Sequence, residues 1–329
     1  MLRLFANAHY DFIGARRYAY ILTALFLIPG LLILVIRGLN YSIEFTGGTL
    51  IQVESKAPVD VGALRTGLDR QGIHGAEIQN FGAPNEFVVR ARVAKPGTDA
   101  NDTQATADAV RQALSGVLGT GNFSIVRTEA VGPKVGGELR QQAFLAIFLS
   151  FFAVLAYLAY RFEWRFGLAA VIATAHDILA TIAFVGMLRL EVSLTVVAAV
   201  LSMVGYSLND TIIIFDRVRE NLKKHKRDSF EQILNRSINE TLPRSVLTHG
   251  TTLSSLLALT IFGGEVIRPF ALVMFFGVFT GTFSSIYIAA PVLMAIEKRW
   301  PGQLAKGHLT PAPAPAPLGA GSRKTAPVG

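Results

Sequence analysis

Six long apolar runs bound what this chain can fold into: Tyr18–Ile36, Gln142–Tyr160, Gly167–Leu188, Val192–Phe215, Val246–Phe262 and Phe270–Ile296. A helix needs about 20 such residues to cross a bilayer, and only a helix or a closed barrel satisfies its own backbone there. The runs are far longer than barrel strands, so the chain reads as a polytopic helical membrane protein. Charged residues make up only 16% of it and hydrophobic residues 51%, too apolar a balance for a soluble surface. The first run is not a secretory leader. It is too long, carries Pro29-Gly30, and ends at Arg37-Gly38 without a small-residue cleavage site. It reads as an uncleaved first span.

The net charge of +8 would suit nucleic acid if it were spread over a soluble face. Its placement points to a membrane surface instead. The densest cluster, Arg217 to Arg227, abuts the fourth span, and Arg3, Arg16, Arg17, Arg161, Arg165, Lys298 and Arg299 fall on the same predicted side. The short loops of the other side carry only Arg189 and Arg268. Positive residues stay inside, so both termini are expected in the cytoplasm. No nucleic-acid partner is expected. There is no cysteine, which excludes disulfides and thiol chemistry.

Residues 39–140 differ in kind: they are polar and contain no run long enough to span. Alternating segments at Thr49–Val53, Ala76–Phe81, Glu86–Val93 and Phe123–Glu129 predict strands. Val59–Arg70 and Thr103–Leu118 predict amphipathic helices, started near Asp60 and Asp102. Turns are expected at Phe81–Asn85 and Lys95–Thr98. The order strand, helix, strand, strand, helix, strand is the split βαβ, ferredoxin-like α+β pattern. The expected plan is a cytoplasmic segment 1–17, a first span 18–38, an extracytoplasmic domain 39–140, and a five-helix bundle 141–300. A cytoplasmic loop at 216–244 interrupts that bundle, and a Pro/Ala-rich disordered tail follows at 301–329. Within the loop, Asp228–Thr241 is amphipathic, and its Ile233, Leu234, Ile238 and Leu242 are expected to lie along the membrane surface.

Chemistry is sought in the carboxylates stranded among apolar residues. Asp210 lies inside the fourth run, before the basic cluster begins. A charge there costs at least a few kcal/mol and ordinarily faces a partner or a water-filled path. Helical spacing groups Asp210 with Ser202, Tyr206 and Asn209, away from Val200, Val204, Leu208 and Phe215. The fifth span has its own stripe of Arg244, Thr248, Thr251, Thr252 and Ser255. Asp210 and Arg244 fall at similar depth on antiparallel neighbours. A guanidinium favours the ionised aspartate and burial the neutral one. Two outcomes stay open: a poised pair that loads and releases a proton, or a permanent pair that only braces the bundle. Asp177, next to His176 and in line with Thr174 and Thr181, is a second relay candidate; a packing role is equally consistent with the residues. Gly277-Val-Phe-Thr-Gly281 predicts a close helix contact. His176, Asp177 and His249 have no metal-site spacing, and His74 stands alone. No phosphate-binding loop is present, so neither a metal nor a cofactor is expected, and ATP is not a direct fuel.

Several of these segments match a known family. Ile43-Glu-Phe-Thr-Gly-Gly-Thr49, Val131-Gly-Pro-Lys-Val-Gly-Gly-Glu138, His176-Asp177, Tyr206-Ser-Leu-Asn-Asp210-Thr with Phe215–Asn221, and Thr241-Leu-Pro-Arg244-Ser resemble the SecF family of the RND superfamily. The resemblance covers about residues 10–300. Glu44 stands where the family more often has aspartate. The resemblance implies a half bundle of six transmembrane helices that pairs with SecD. It implies a non-enzymatic role in protein export across the inner membrane, with the proton motive force promoting translocation of a polypeptide after SecA and SecYEG have acted. It places the family's proton-site aspartate and arginine on Asp210 and Arg244, and a further aspartate on SecD. Tyr206, Asn209, Thr248, Thr251 and Thr252 then form the supporting polar face.

Three other readings of the residues remain. An RND-type exporter of small molecules or lipids shares the carboxylate logic but calls for a larger, repeated outer region. An intramembrane aspartyl protease needs Asp177 and Asp210 to share a proton. A passive scaffold would leave Asp210 dispensable.

Overall fold

The computed structural model describes residues 9–91, 103–303 and 305–309. The chain begins with α1 (Arg16–Arg37), followed by β1 (Asn40–Tyr41), α2 (Ile43–Thr46), β2 (Gly48–Ser55), α3 (Val61–Arg70), β3 (Glu77–Phe81), β4 (Ala83–Ala91), α4 (Thr103–Leu118) and β5 (Phe123–Val131). Then come α5 (Pro133–Arg161), α6 (Trp164–Met187), β6 (Glu191–Val192), α7 (Leu194–Lys224), α8 (Phe230–Phe262) and α9 (Gly264–Ser284). A π turn at Ser285–Ala289 joins α9 to α10 (Ala290–Arg299), and α11 (Lys306–Leu309) follows.

Among the described residues, six helices are long and apolar enough to cross a membrane: α1, α5, α6, α7, α8 and the continuous α9–α10 unit. Their boundaries follow local chemistry. Asp60 caps α3 through Gly62 N and Ala63 N, Ser193 caps α7 through Val196 N, and Ser229 with Gln232 closes a reciprocal capping box on α8. Burial divides the spans. α1 and α5 leave most of their apolar surface uncovered, whereas α6, α7 and α9–α10 are packed together around Met203, Phe215, Ala289 and Leu293.

The strands β2, β3, β4 and β5 form one antiparallel sheet in the order β3-β4-β2-β5. With α3 and α4 on one face, this is the ferredoxin-like arrangement that the element order predicts. Ile51, Val53, Phe87 and Val89 meet Leu64, Leu68, Val110 and Leu114 in the core beneath those helices. Each such fully buried side chain contributes about 1.5–3 kcal/mol. The turn expected at Phe81–Asn85 tightens to a β3–β4 hairpin at Gly82, whose φ of 79° suits a glycine. The expected Asp102 cap and Lys95–Thr98 turn lie outside the described residues.

Two glycine-rich segments join this domain to the bundle. Gly47 and Gly48 turn the chain from α2 into β2 with φ of 72° and 127°. Opposite them, a Cβ on Gly136 of α5 would come within 2.8 Å of Gly47 N. The two motifs that looked separate in the sequence are therefore one backbone contact. A short parallel ladder, β1 with β6, adds a second tie.

Two expectations about the opposite side need correction. Residues 216–244 are helical apart from a turn at 225–229, and α8 runs unbroken through Pro243 from the amphipathic stretch into the fifth span. Ile233, Leu234 and Ile238 are buried in the bundle's own core, not laid on a membrane surface. Threonine and serine hydroxyls bond the carbonyls that precede the proline: Thr241 Oγ1 reaches Ser237 O and Ile238 O. The tail also begins in order. His308 of α11 is buried, with its ring nitrogens 2.7 Å from Asp228 O and 3.1 Å from Leu222 O. Residues 310–329, expected to be disordered, lie outside the described residues.

Candidate functional site

Helix packing brings two carboxylates into the bundle interior. The Gly277/Gly281 pair makes this possible. A Cβ at Gly277 would meet Met203 at 2.9 Å, and one at Gly281 would meet Ser207 at 2.8 Å. Without those methyl groups α9 lies tight on α7, which is the close contact the motif predicts. The approach carries the next residues, Ser284 and Ser285, against the acidic side chains.

Asp210 is 4% exposed. Ser245 Oγ of α8 donates to its Oδ1 at 2.7 Å, and Ser285 Oγ donates to its Oδ2 at 3.2 Å. Asp177 is fully buried. Its Oδ2 accepts from Ser207 Oγ at 2.5 Å and Ser284 Oγ at 2.7 Å, and its Oδ1 lies 3.0 Å from His176 Nδ1. The two acids are thus served by adjacent serines at the start of a π turn. Such turns recur at functional sites, because the extra residue re-aims side chains. Ser207, itself bonded to Asp177, lies three residues before Asp210 on α7, so the two polar groups meet along one helix face. Each acid keeps its own serines, and no hydrogen bond joins Asp177 to Asp210 among the described residues.

The face assignment from helical spacing is only partly right. Asp210 turns inward with Met203, Ser207, Thr211 and Ile214. Ser202 and Asn209 are exposed, and Tyr206 is half-buried at the edge. Val200, Val204, Leu208 and Phe215, expected to lie away from the polar face, are buried inside the bundle.

Arg244 is the sharper departure. It is exposed, and among the described residues it makes no ion pair or hydrogen bond. Its neighbour Ser245 takes Asp210 instead. One residue is a 100° rotation on a helix, enough to exchange a serine facing in for an arginine facing out. Around Arg244 runs an uncovered stripe that includes Thr248 and Thr251. Thr251 Oγ1 bonds back to Leu247 O and Thr248 O, and Thr252 Oγ1 to Thr248 O. Tyr206 OH donates to Thr252 Oγ1 at 2.9 Å, so the stripe is stitched to α7 but left open outward. His249 is buried beside Tyr206, ring centroids 5.3 Å apart, and its Nδ1 has no partner among the described residues.

Sequence reasoning missed Ser207, Ser245, Ser284 and Ser285. Ser207 and Ser245 each lie one helical turn or one residue from a singled-out position, a weak signal. Ser284 and Ser285 follow Gly281 by three and four residues, the spacing that puts them on the contact face of a GxxxG helix.

A six-span bundle with internal carboxylates, bearing one ferredoxin-like domain between its first two spans, defines a polytopic membrane subunit of transport type. Its relatives narrow the class. The family described as Protein export membrane protein SecD/SecF, C-terminal, matches residues 110–299, and the SecD/SecF GG Motif matches residues 32–59. The protein translocase subunit SecF of Gemmatimonas aurantiaca is 57% identical over 305 residues, covering 92% of this chain and 91% of that one. The SecF of Escherichia coli O157:H7 is 37% identical, covering 87% and 88%. The crystal structure of SecDF from Thermus thermophilus, a translocon-associated membrane protein, superposes with a TM-score of 0.79 at 36% identity. The match covers 89% of this chain but 39% of that longer one. The chain belongs to the SecD/SecF family of protein-export membrane proteins. It is a multi-pass inner-membrane protein and an auxiliary subunit of Sec protein export.

Proposed function

We propose that this chain pairs with SecD and uses the proton motive force to promote translocation of secreted polypeptides after SecA and SecYEG have acted. Asp210 is the proton carrier. Arg244 and the stripe around it face the SecD half, and both termini lie in the cytoplasm with residues 39–140 in the periplasm. The observation that carries this reading is a buried Asp210 held by Ser245, whose neighbour Arg244 on the same helix is left uncovered. An arginine facing hydrocarbon is costly, and a partner bundle that covers it removes that cost. The solved SecDF chain, more than twice as long, supports a partner of that size.

In this mechanism Asp210 takes up and releases the proton within the grip of Ser245 and Ser285. When the partner interface admits water, it ionises, and its charge draws Arg244 or a partner cation towards α7. Each protonation change alters how the two bundles pack, and the periplasmic domain follows through the Gly47–Gly136 joint. One elementary charge moved through 100 mV is worth about 2.3 kcal/mol, enough to shift a two-state balance by more than tenfold. The test is Asp210→Asn in vesicles holding this chain, SecD and the Sec channel. The variant keeps the serine contacts, so it assembles, and export loses its stimulation by a proton gradient. Undiminished stimulation would rule out the proton role.

A further inference from the structure

At the joint between sheet and bundle, one arginine stands between two carboxylates, with a third carboxylate in the same cleft. Arg90 stands on the open face of β4. Its Nη2 donates to Glu191 of β6, and its Nη1 lies 3.7 Å from Glu77 of β3. Although the side chain is mostly buried, its Nε and Nη1 have no hydrogen-bond acceptor among the described residues. Glu44 of α2 faces the same cluster and is occupied at the start of α7, where its Oε2 accepts Leu194 N at 2.6 Å. Two other arginines line the cleft but are engaged elsewhere. Arg127 pairs with Glu129 along β5, and Arg189 Nη1 donates to the carbonyls of Arg37 and Gly38. The cluster therefore holds more negative than positive charge.

Its position gives that excess a mechanical meaning. The sheet is tied covalently to the bundle at β2, through Gly47-Gly48, and at β5, through Gly132 into α5. Both strands lie on one half of the sheet. The other half, β4 and β3, lacks such a tie, and the open face of all four strands lines a cleft of about 380 Å³ against the rim formed by Arg189–Thr195. Arg90 reaches across it.

We propose that the Glu44–Glu77–Glu191 cluster around Arg90 is a proton-binding site, and that a proton bound there holds the free half of the sheet down on the bundle rim. Glu191 is the group that takes it. Burial pushes its carboxyl above the usual range, Glu44 and Glu77 push it further, and Arg90 opposes them. With the sheet lifted, Glu191 meets water and returns to its ordinary value. The seated form thus binds the proton more tightly than the lifted form. Seating is favoured as pH falls and weakens as pH rises through the raised value of Glu191. On the proposed orientation, this site lies on the side that an energised membrane acidifies. The titration itself does not depend on that orientation.

The absence of cysteine makes the test direct. Spin labels at Arg65→Cys on α3 and Leu188→Cys at the rim report the domain-to-bundle distance in nanodiscs that hold this chain with SecD. The parent is expected to show one narrow distance near pH 5 and an added, longer population near pH 8, because the seated form loses its advantage as the raised carboxyl ionises. Glu191→Gln, which fixes the neutral form, gives the narrow distance at both. Glu77→Gln removes a like charge and shrinks the pH response. A parent distribution that is the same at both pH values, a lifted population that grows at low pH, or a Glu191→Gln variant with the parent's pH response would each overturn the proposal.

Discussion

The two sides of α7 present polar groups in opposite ways. Towards the bundle, Ser207 and Asp210 are buried: Ser207 donates to Asp177 of α6, and Asp210 accepts from serines of α8 and the π turn. Towards the outside, Ser202 and Asn209, with Arg244 and Thr248 on the neighbouring helix, are left exposed. The inner side is complete within this chain. The outer side is polar surface on two helices long and apolar enough to cross a membrane, and a bilayer core does not solvate such groups. The same helix therefore closes one protein surface and offers another, and the carboxylate sits one residue behind the boundary.

That contrast is breakable, and the largest effect is expected on the open side. Arg244→Gln in the complex should lower gradient-stimulated export at least tenfold, since one charge across ~100 mV is worth about 2.3 kcal/mol. The melting temperature of the chain alone should hold, because exposed substitutions stay within about 0.5 kcal/mol. A matching loss of stability would place Arg244 in the chain's own packing. On the closed side the order reverses, with stability changing first. Gly281→Val drives a side chain into Ser207 and should cost about 1–3 kcal/mol in denaturant or thermal unfolding. Ser285→Ala and Ser284→Ala each remove one donor from a buried acid. Each should cost about 1–2 kcal/mol, and Ser285→Ala should also shift the pH profile of export, because of these two serines it is Ser285 that touches Asp210. Smallest is Tyr206→Phe, which cuts the bond to Thr252 across the boundary and should cost about 0.5–1 kcal/mol.

How far the sequence disclosed this contrast depended on how local each signal was. Spans, strands and the GxxxG contact were legible, because length, alternation and small-residue spacing are properties of one segment. Asp210 was legible as an anomaly: a carboxylate among Ile, Leu and Val has few explanations. Its partner was not. Arg244 and Ser245 differ by one helical step, and which of them turns inward is decided by the rotation of α8 against α7. That rotation is set by its long unbroken run and by the packing of Ile233, Leu234 and Ile238 in the core. A proline at 243 and charges nearby disguised that continuity. Ser284 and Ser285 had no signal of their own, since a serine in a membrane helix commonly bonds its own backbone. They became visible only when Gly277 and Gly281 set α9 against α7.

The domain joint follows the same logic. Gly47-Gly48 and Gly136 were each recognisable as motifs, but their meeting was not, because it is a contact between segments almost ninety residues apart. Arg90 and Glu191 are further apart still, and nothing local marks either as a tie.

In the proposed mechanism the charge on Asp210 changes when the membrane is energised. Difference infrared spectroscopy on vesicles holding the chain with SecD tests it most directly, by following the carbonyl stretch of protonated carboxyl groups as a gradient is imposed and collapsed. A band that rises and falls with the gradient, and that is missing in Asp210→Asn, is the predicted result. A spectrum with no Asp210-dependent band, recorded while the gradient still stimulates export, would contradict it.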